Sequence, residues 1–223
     1  MMLTESETLF QRLCKKKGLL FDRIEAESGK TPDYLIKIGD TCIVVEIKEF
    51  EANTDESTTV HDISMNSGKF HTFDTQVTLG NAVRRKIKKA GPQIRRKTAG
   101  KLPSMLILYN KCLLKNPAND YEVRVAMYGF DAIVFSVSQN MTERCHAVGY
   151  KSAGNRQMTE TCNTSNSSVG ILKQKAAYDP ELTVYHNAYA AIPLSPDLIR
   201  GIAVRQFVLG SEGRKLAGIW QEV

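Results

Sequence analysis

The sequence predicts an α/β fold. Apolar residues recur at helical spacing in residues 4–17 and again from Val83 to Ile94. Apolar runs of strand length occupy residues 33–38, 42–48 and 105–109. Helix-like and strand-like segments follow one another along the chain instead of clustering by type, which is the order of an α/β domain. At 223 residues the chain can bury a sizeable core, and it reads as one domain, residues 1–223, with loop insertions.

The first helix spans residues 4–17. Leu9, Phe10, Leu13 and Cys14 form its apolar stripe, Thr4 with Glu7 has the form of a capping box, and Gly18 is a stop signal. Residues 19–25 form a short strand. Residues 33–38 and 42–48 then read as a hairpin closed by Ile38-Gly39-Asp40-Thr41. Residues 51–78 are polar with few aliphatics, so a mobile loop or insertion is expected there. Val83, Ile87, Ala90 and Ile94 fall at i, i+4, i+7 and i+11, the pattern of an amphipathic helix. Gly91-Pro92 interrupts it, because proline removes a helix hydrogen bond and clashes with the preceding turn. A kink or two separate helices should result.

Residues 105–109 read as a buried strand, and 123–127 and 132–137 as further strands. Residues 138–180 look loop-rich and inserted, including the polar stretch 159–168. Residues 182–185 suggest a late strand, and 196–209 fit either a helix or a strand. The core should therefore lie within about residues 4–137, with additions towards the C-terminus. No internal repeat is visible.

The charge is uneven. Arg84, Arg85, Lys86, Lys88, Lys89, Arg95, Arg96, Lys97 and Lys101 crowd one segment with no acidic residue among them. Without those nine the net charge of +6 becomes −3, from 21 basic and 24 acidic side chains. A basic stripe of this kind is the electrostatic footprint of a polyanion partner, most commonly nucleic acid. The bland alternative is a solvated helix face.

No apolar run reaches 18 residues, so no membrane span is expected. Residues 1–10 carry two glutamates and no basic segment, unlike a signal peptide. Cys14, Cys42, Cys112, Cys145 and Cys162 are odd in number and widely spaced, as expected of reduced thiols in a cytoplasmic protein. Cys42 should be buried or face the site. His61, Asp62, His71 and Asp74 match no compact zinc spacing, nor does Cys145-His146, and His186 reads as a structural histidine. No phosphate-binding loop, G-x-S-x-G or H-E-x-x-H is present.

The chemistry concentrates in Thr31-Pro32-Asp33-Tyr34 and Ile43-Val44-Val45-Glu46-Ile47-Lys48. Successive strand side chains alternate in direction, so Glu46 and Lys48 emerge on one face while Ile43, Val45 and Ile47 pack on the other. The hairpin returns Asp33 beside them. Two carboxylates and a lysine gathered at a strand end can hold a divalent cation and position a water for phosphodiester hydrolysis. The bland alternatives are a turn aspartate and a solvated pair on an edge strand.

Pro32, Asp33, Glu46 and Lys48 resemble the motif of the PD-(D/E)xK nuclease superfamily, which includes restriction endonucleases and Holliday-junction resolvases. The resemblance covers about residues 4–137 in element order, but few positions carry it. It implies a restriction-endonuclease-like core, a mixed central sheet flanked by helices. It also implies Mg²⁺, with Mn²⁺ as a substitute, held by Asp33, Glu46 and the Ile47 carbonyl. Lys48 would orient the attacking water and offset charge on the phosphate. Glu7 resembles the first-helix glutamate that many members turn to the metal, with Glu5 as the competing choice. Gln93 resembles a supporting polar residue, although Gly91-Pro92 departs from the usual uninterrupted helix. Arg84, Arg85, Lys88 and Arg95 would grip phosphates, and many members act as homodimers. The function expected is therefore a metal-dependent nuclease, acting on DNA in restriction or defence or in repair or recombination. The alternative is a non-catalytic nucleic-acid-binding protein on the same fold.

Overall fold

The computed structural model describes residues 3–25, 31–52, 57–58, 65, 78–112, 116–136, 146–175, 179–210 and 220–223. Most of the polar stretch 51–78, with His61, Asp62, His71 and Asp74, lies outside them, as does Cys145.

Helix α1 (Glu5–Lys16) begins with the expected capping box. Thr4 Oγ1 accepts the Glu7 amide at 3.3 Å, and Glu7 Oε2 accepts the Thr4 amide at 2.7 Å. Strands β1 (Leu20–Arg23), β2 (Tyr34–Ile38) and β3 (Thr41–Phe50) form an antiparallel meander with Ile36 opposite Ile43. Helix α2 (Asn81–Thr98) then crosses to β4 (Ser104–Asn110), which runs parallel to β3. Val83, Ile87, Ala90 and Ile94 are all buried, as the periodicity predicts. A single helix runs through Pro92, so the two-helix alternative is not what the chain adopts.

Helix α3 (Asp120–Tyr128) corrects the strand expected at residues 123–127. Asn119 caps it, its Oδ1 accepting the Glu122 amide at 2.9 Å. Val123, Val125, Ala126 and Met127 are all buried, and Asp120, Glu122 and Arg124 alternate with apolar residues, so the sequence imitates the period of a strand. Strands β5 (Phe130–Ser136) and β6 (His146–Ala153) form a separate two-stranded antiparallel sheet among the described residues.

Strand β7 (Ser168–Lys175) corrects the loop expected across residues 138–180. It lies parallel to β4 near the centre of the main sheet. Strand β8 (Asp179–His186) pairs antiparallel with β7, extending the late strand expected there. Residues 196–209 contain both options: helix α4 (Pro196–Ile199) and strand β9 (Arg205–Leu209), followed by β10 (Trp220–Glu222). The main sheet is mixed and eight-stranded, in the order β1-β2-β3-β4-β7-β8-β9-β10.

Helices cover both faces of that sheet. Leu9, Phe10 and Leu13 of α1 pack with Ile43, Val45, Ile47, Ile107 and Ile199 on one face. On the other face, α2 and α3 pack with Phe50, Leu106, Leu108, Val169 and Ile171. The central strands are thus buried on both sides, which explains their continuous apolar runs. Among the described residues no helix is long and apolar enough to cross a membrane. Cys14 is buried, Cys42 and Cys112 are half-buried and Cys162 is exposed, and among the described residues none of the four forms a disulfide.

Candidate active site

The hairpin brings Asp33 and Glu46 together through register. The Asp33 amide donates to the Val45 carbonyl at 3.1 Å, and Asp33 Oδ2 accepts the Ile47 amide at 2.6 Å. The Asp33 side chain thereby takes the place of a main-chain partner where β2 ends. Strand alternation sends the Ile47 carbonyl to the same side as its amide, beyond the end of β2.

Along β3, Ile43, Val45 and Ile47 enter the α1-side core, as expected. Glu46 and Lys48 share the opposite face with Phe50, which packs towards α2. Glu46 is fully buried, and apart from the Lys48 ammonium neither of its oxygens meets a hydrogen-bond donor. Burial, reinforced by Asp33 and opposed by Lys48, pushes the Glu46 carboxyl up to about 7. Burial also raises Asp33, against the lowering effect of the Ile47 amide and of Lys48. Two carboxylates near enough for one to raise the other are expensive to ionise together unless a cation lies between them.

A cleft of about 370 Å³ adjoins this cluster, lined by Glu7, Arg23, Asp33, Ile47, Lys48 and Glu49 among others. Glu7 faces this cleft, whereas Glu5 accepts the Tyr109 hydroxyl at 2.7 Å and lines a different one. Both Glu7 oxygens are engaged, one by the Thr4 amide and one by Arg23 at 2.9 Å. Glu49 is half-buried and engaged at both oxygens. Its Oε1 accepts the Ser6 amide at 2.8 Å and its Oε2 lies 3.5 Å from Lys111 Nζ. Burial works to raise its carboxyl, but Ser6 and Lys111 together hold it below the usual range.

No family model, curated protein or solved structure matches this chain. Among the described residues, no three Asp, Glu, His or Cys side chains form one metal-holding group. The donor set on offer is two carboxylates, Asp33 and Glu46, with the Ile47 carbonyl. All are hard oxygens, and Glu46 Oε2, which meets no donor, suits a cation of the Mg²⁺ type.

The basic helix is only partly the exposed stripe that its sequence suggests. Arg85, Lys88 and Arg95 are exposed, but Arg84 is buried at 8% exposure. Gln93 is half-buried and donates to the Thr31 carbonyl at 3.2 Å, so it faces the segment leading to Asp33. His186 is buried and hydrogen-bonded to Gln206 at 2.9 Å, as a structural histidine would be.

Sequence reasoning missed Arg23. It lies opposite Tyr34 in the β1–β2 register, beside Asp33, and a four-residue strand gives no signal for that placement.

Proposed function

We propose that this protein is a metal-dependent nuclease similar to the PD-(D/E)xK superfamily, with a restriction-endonuclease-like core, hydrolysing phosphodiester bonds of DNA. The observation that carries this reading is Glu46. A carboxylate wholly removed from water, next to a second carboxylate and met at only one oxygen by the Lys48 ammonium, leaves its other oxygen unmatched, a cost that a bound cation would offset. A binding protein has no use for such a pair, since carboxylates repel phosphate unless a cation bridges them. The succession α1, β2, β3, α2, β4 around the motif, with β3 parallel to β4, also supports the reading.

Asp33, Glu46 and the Ile47 carbonyl would hold Mg²⁺, or Mn²⁺ in its place. When bound, the ion supplies positive charge to the scissile phosphate and a more acidic water. Lys48 lies on the solvent side of Glu46 and lines the cleft, where its ammonium can meet a phosphate oxygen and offset charge that develops on it. Asp33 is fixed by the Ile47 amide, so its second oxygen is held in a set direction. The exposed cations of α2 are suited to phosphate contacts that position a strand without reading its sequence. Defence and repair are both settings in which such an activity serves.

A second reading, nucleic-acid binding without cleavage on the same fold, draws support from Glu7. Its two oxygens are already occupied, which leaves the donor set small.

The test is cleavage of supercoiled plasmid, single-stranded DNA and RNA in Mg²⁺ or Mn²⁺. Wild type is compared with Lys48→Ala and Glu46→Gln. Metal-dependent cutting lost in both variants is the expected result. Salt-sensitive binding without cutting, equal in all three proteins and indifferent to Mg²⁺, would favour the second reading.

A further inference from the structure

We propose that the cleft between the first half of α2 and the turn at residues 154–159 is a phosphate-binding subsite for a nucleic-acid strand, separate from the Asp33–Glu46 centre. Arg84 forms its base, and Arg85, Lys88 and Arg156 form its walls. This deepens the nucleic-acid reading above and rests on it for the source of the phosphate.

The cleft has a volume of about 540 Å³ and brings these four cations together with Asn155 and Gln157. Arg84 is the deciding residue. It is 8% exposed, and its buried Nε has no hydrogen-bond partner. Among the described residues no acidic group lies within 4.0 Å ion-pair distance of Arg84, Arg85, Lys88 or Arg156. The nearby Glu122 carboxylate is taken by the Gly80 amide. Charged side chains are seldom buried without a partner, because desolvation is then uncompensated. An anion in the cleft would supply the partner, and guanidinium suits phosphate through its planar fork of donors.

The surroundings are shaped around that guanidinium. A methyl group on Gly80 would sit 3.1 Å from Arg84 Nη2, and one on Gly154 would sit 3.7 Å away. Both glycines have positive φ, 71° and 84°, a conformation that L side chains rarely adopt. Arg84 therefore passes between two positions that must stay small.

The opposite wall is pinned before any ligand arrives. The Gln157 amide donates to the Ala126 carbonyl at 3.0 Å and the Met158 amide to the Met127 carbonyl at 2.9 Å, fastening the turn to α3. Asn163 Nδ2 donates to the Gln157 carbonyl at 2.8 Å. Donors held in place this way lose little further freedom on binding.

The spacing suits a strand that also reaches the carboxylates. Gln93 touches Thr31, two residues before Asp33, and Arg84 lies nine residues earlier on the same helix. At 1.5 Å per residue that is about 13 Å. With about 3.4 Å per nucleotide along one strand of a duplex, Arg84 and Gln93 would stand about four nucleotides apart along a strand that follows the helix.

The test measures binding of short single-stranded and duplex DNA by fluorescence anisotropy over a salt series, in EDTA so that nothing is cut. Wild type is compared with Arg156→Ala, Lys88→Ala, their double variant, and Lys37→Ala, an exposed cation on β2 outside both clefts, as control. Arg156 and Lys88 are exposed, so the variants should fold; Arg84→Gln is added where it does. The expected result is a slope of log K against log salt that shrinks by about one unit for each cation removed. In parallel, inorganic phosphate should shift the amide resonances of residues 154–159 in wild type and not in the double variant. An unchanged slope in the double variant would overturn the proposal. So would inorganic phosphate or a mononucleotide binding as tightly as a strand, which would make the cleft a site for free phosphate. Failure of the nuclease reading looks different: wild type then cuts nothing, while the slope still depends on Arg156 and Lys88.

Discussion

Asp33 Oδ2 accepts the Ile47 amide at 2.6 Å, so a residue placed to hold a cation also closes the end of the β2–β3 ladder. The two roles separate by substitution. Asp33→Asn keeps a carbonyl oxygen for the amide and removes the charge. Its stability should stay within about 1 kcal/mol of wild type while Mg²⁺ binding is lost. Asp33→Ala removes the acceptor as well and should cost about 1–3 kcal/mol, the penalty for a buried amide without a partner. Urea unfolding and calorimetric Mg²⁺ titration of both variants check this. Equal stability of the two would mean that the hydrogen bond does not hold the hairpin end.

Glu46 should make the metal-free protein less stable as pH rises. Its carboxyl is raised from 4.5 to about 7, chiefly by burial, so between those values the native state holds a proton that the unfolded state has lost. Stability therefore falls as pH climbs through that window; the cost is absent below it and complete above it. At 1.36 kcal/mol per unit the ceiling is about 3 kcal/mol, and the raised Asp33 adds with the same sign. A cation that binds the ionised pair should flatten this dependence, because ligands of the native state stabilise it by mass action. Melting temperatures between about pH 5 and pH 8, with and without Mg²⁺, provide the measurement. Glu46→Gln should show a shallower slope in the metal-free protein. A wild-type profile that rises with pH would contradict the burial argument.

Asp33, Glu46 and Lys48 were legible because their geometry is local. A hairpin register and the alternation of one strand suffice to gather them, and both follow from short-range pattern. Helix α1 was legible for the same reason, through Thr4, Glu7 and the stripe ending at Cys14. What escaped depends on tertiary packing. Val123 to Met127 lie in a helix whose polar residues, Asp120, Glu122 and Arg124, alternate as in a strand, and the useful signal was Asn119 at the cap. Strand β7 was hidden by its polar approach and by Gly170, where a methyl group would stand 3.0 Å from Leu182 Cδ1. Arg156 carries no sequence signal, since only the fold sets its turn against α2.

Glu7 should prove more important for stability than for cation binding. It closes the capping box and pairs with Arg23, which leaves neither oxygen idle. Glu7→Ala should cost about 1–2 kcal/mol, the usual range for losing a helix cap with an added ion pair. Mg²⁺ affinity should change by less than about tenfold, equivalent to 1.4 kcal/mol. Thermal unfolding and Mg²⁺ titration of the same variant decide the matter. A stable variant that no longer binds Mg²⁺ would make Glu7 a ligand instead.

Gly91 offers a test in which the sign is the informative part. Replacing glycine by alanine inside a helix normally stabilises it by about 1 kcal/mol. Here the new methyl would lie 2.8 Å from Asn163 Oδ1, well inside contact distance. Asn163 is 9% exposed and cannot easily swing away, because its Nδ2 is tied to the Gln157 carbonyl at 2.8 Å. The close approach of α2 to the 157–163 segment thus explains the glycine that the sequence presents as a helix breaker. Gly91→Ala should therefore destabilise the protein, by about 1–3 kcal/mol, as overpacking does. Since Asn163 helps to hold the turn that carries Arg156, the same variant should bind DNA more weakly at low salt. Stabilisation with unchanged binding would show that Asn163 moves aside freely and that the turn owes its position to α3 alone.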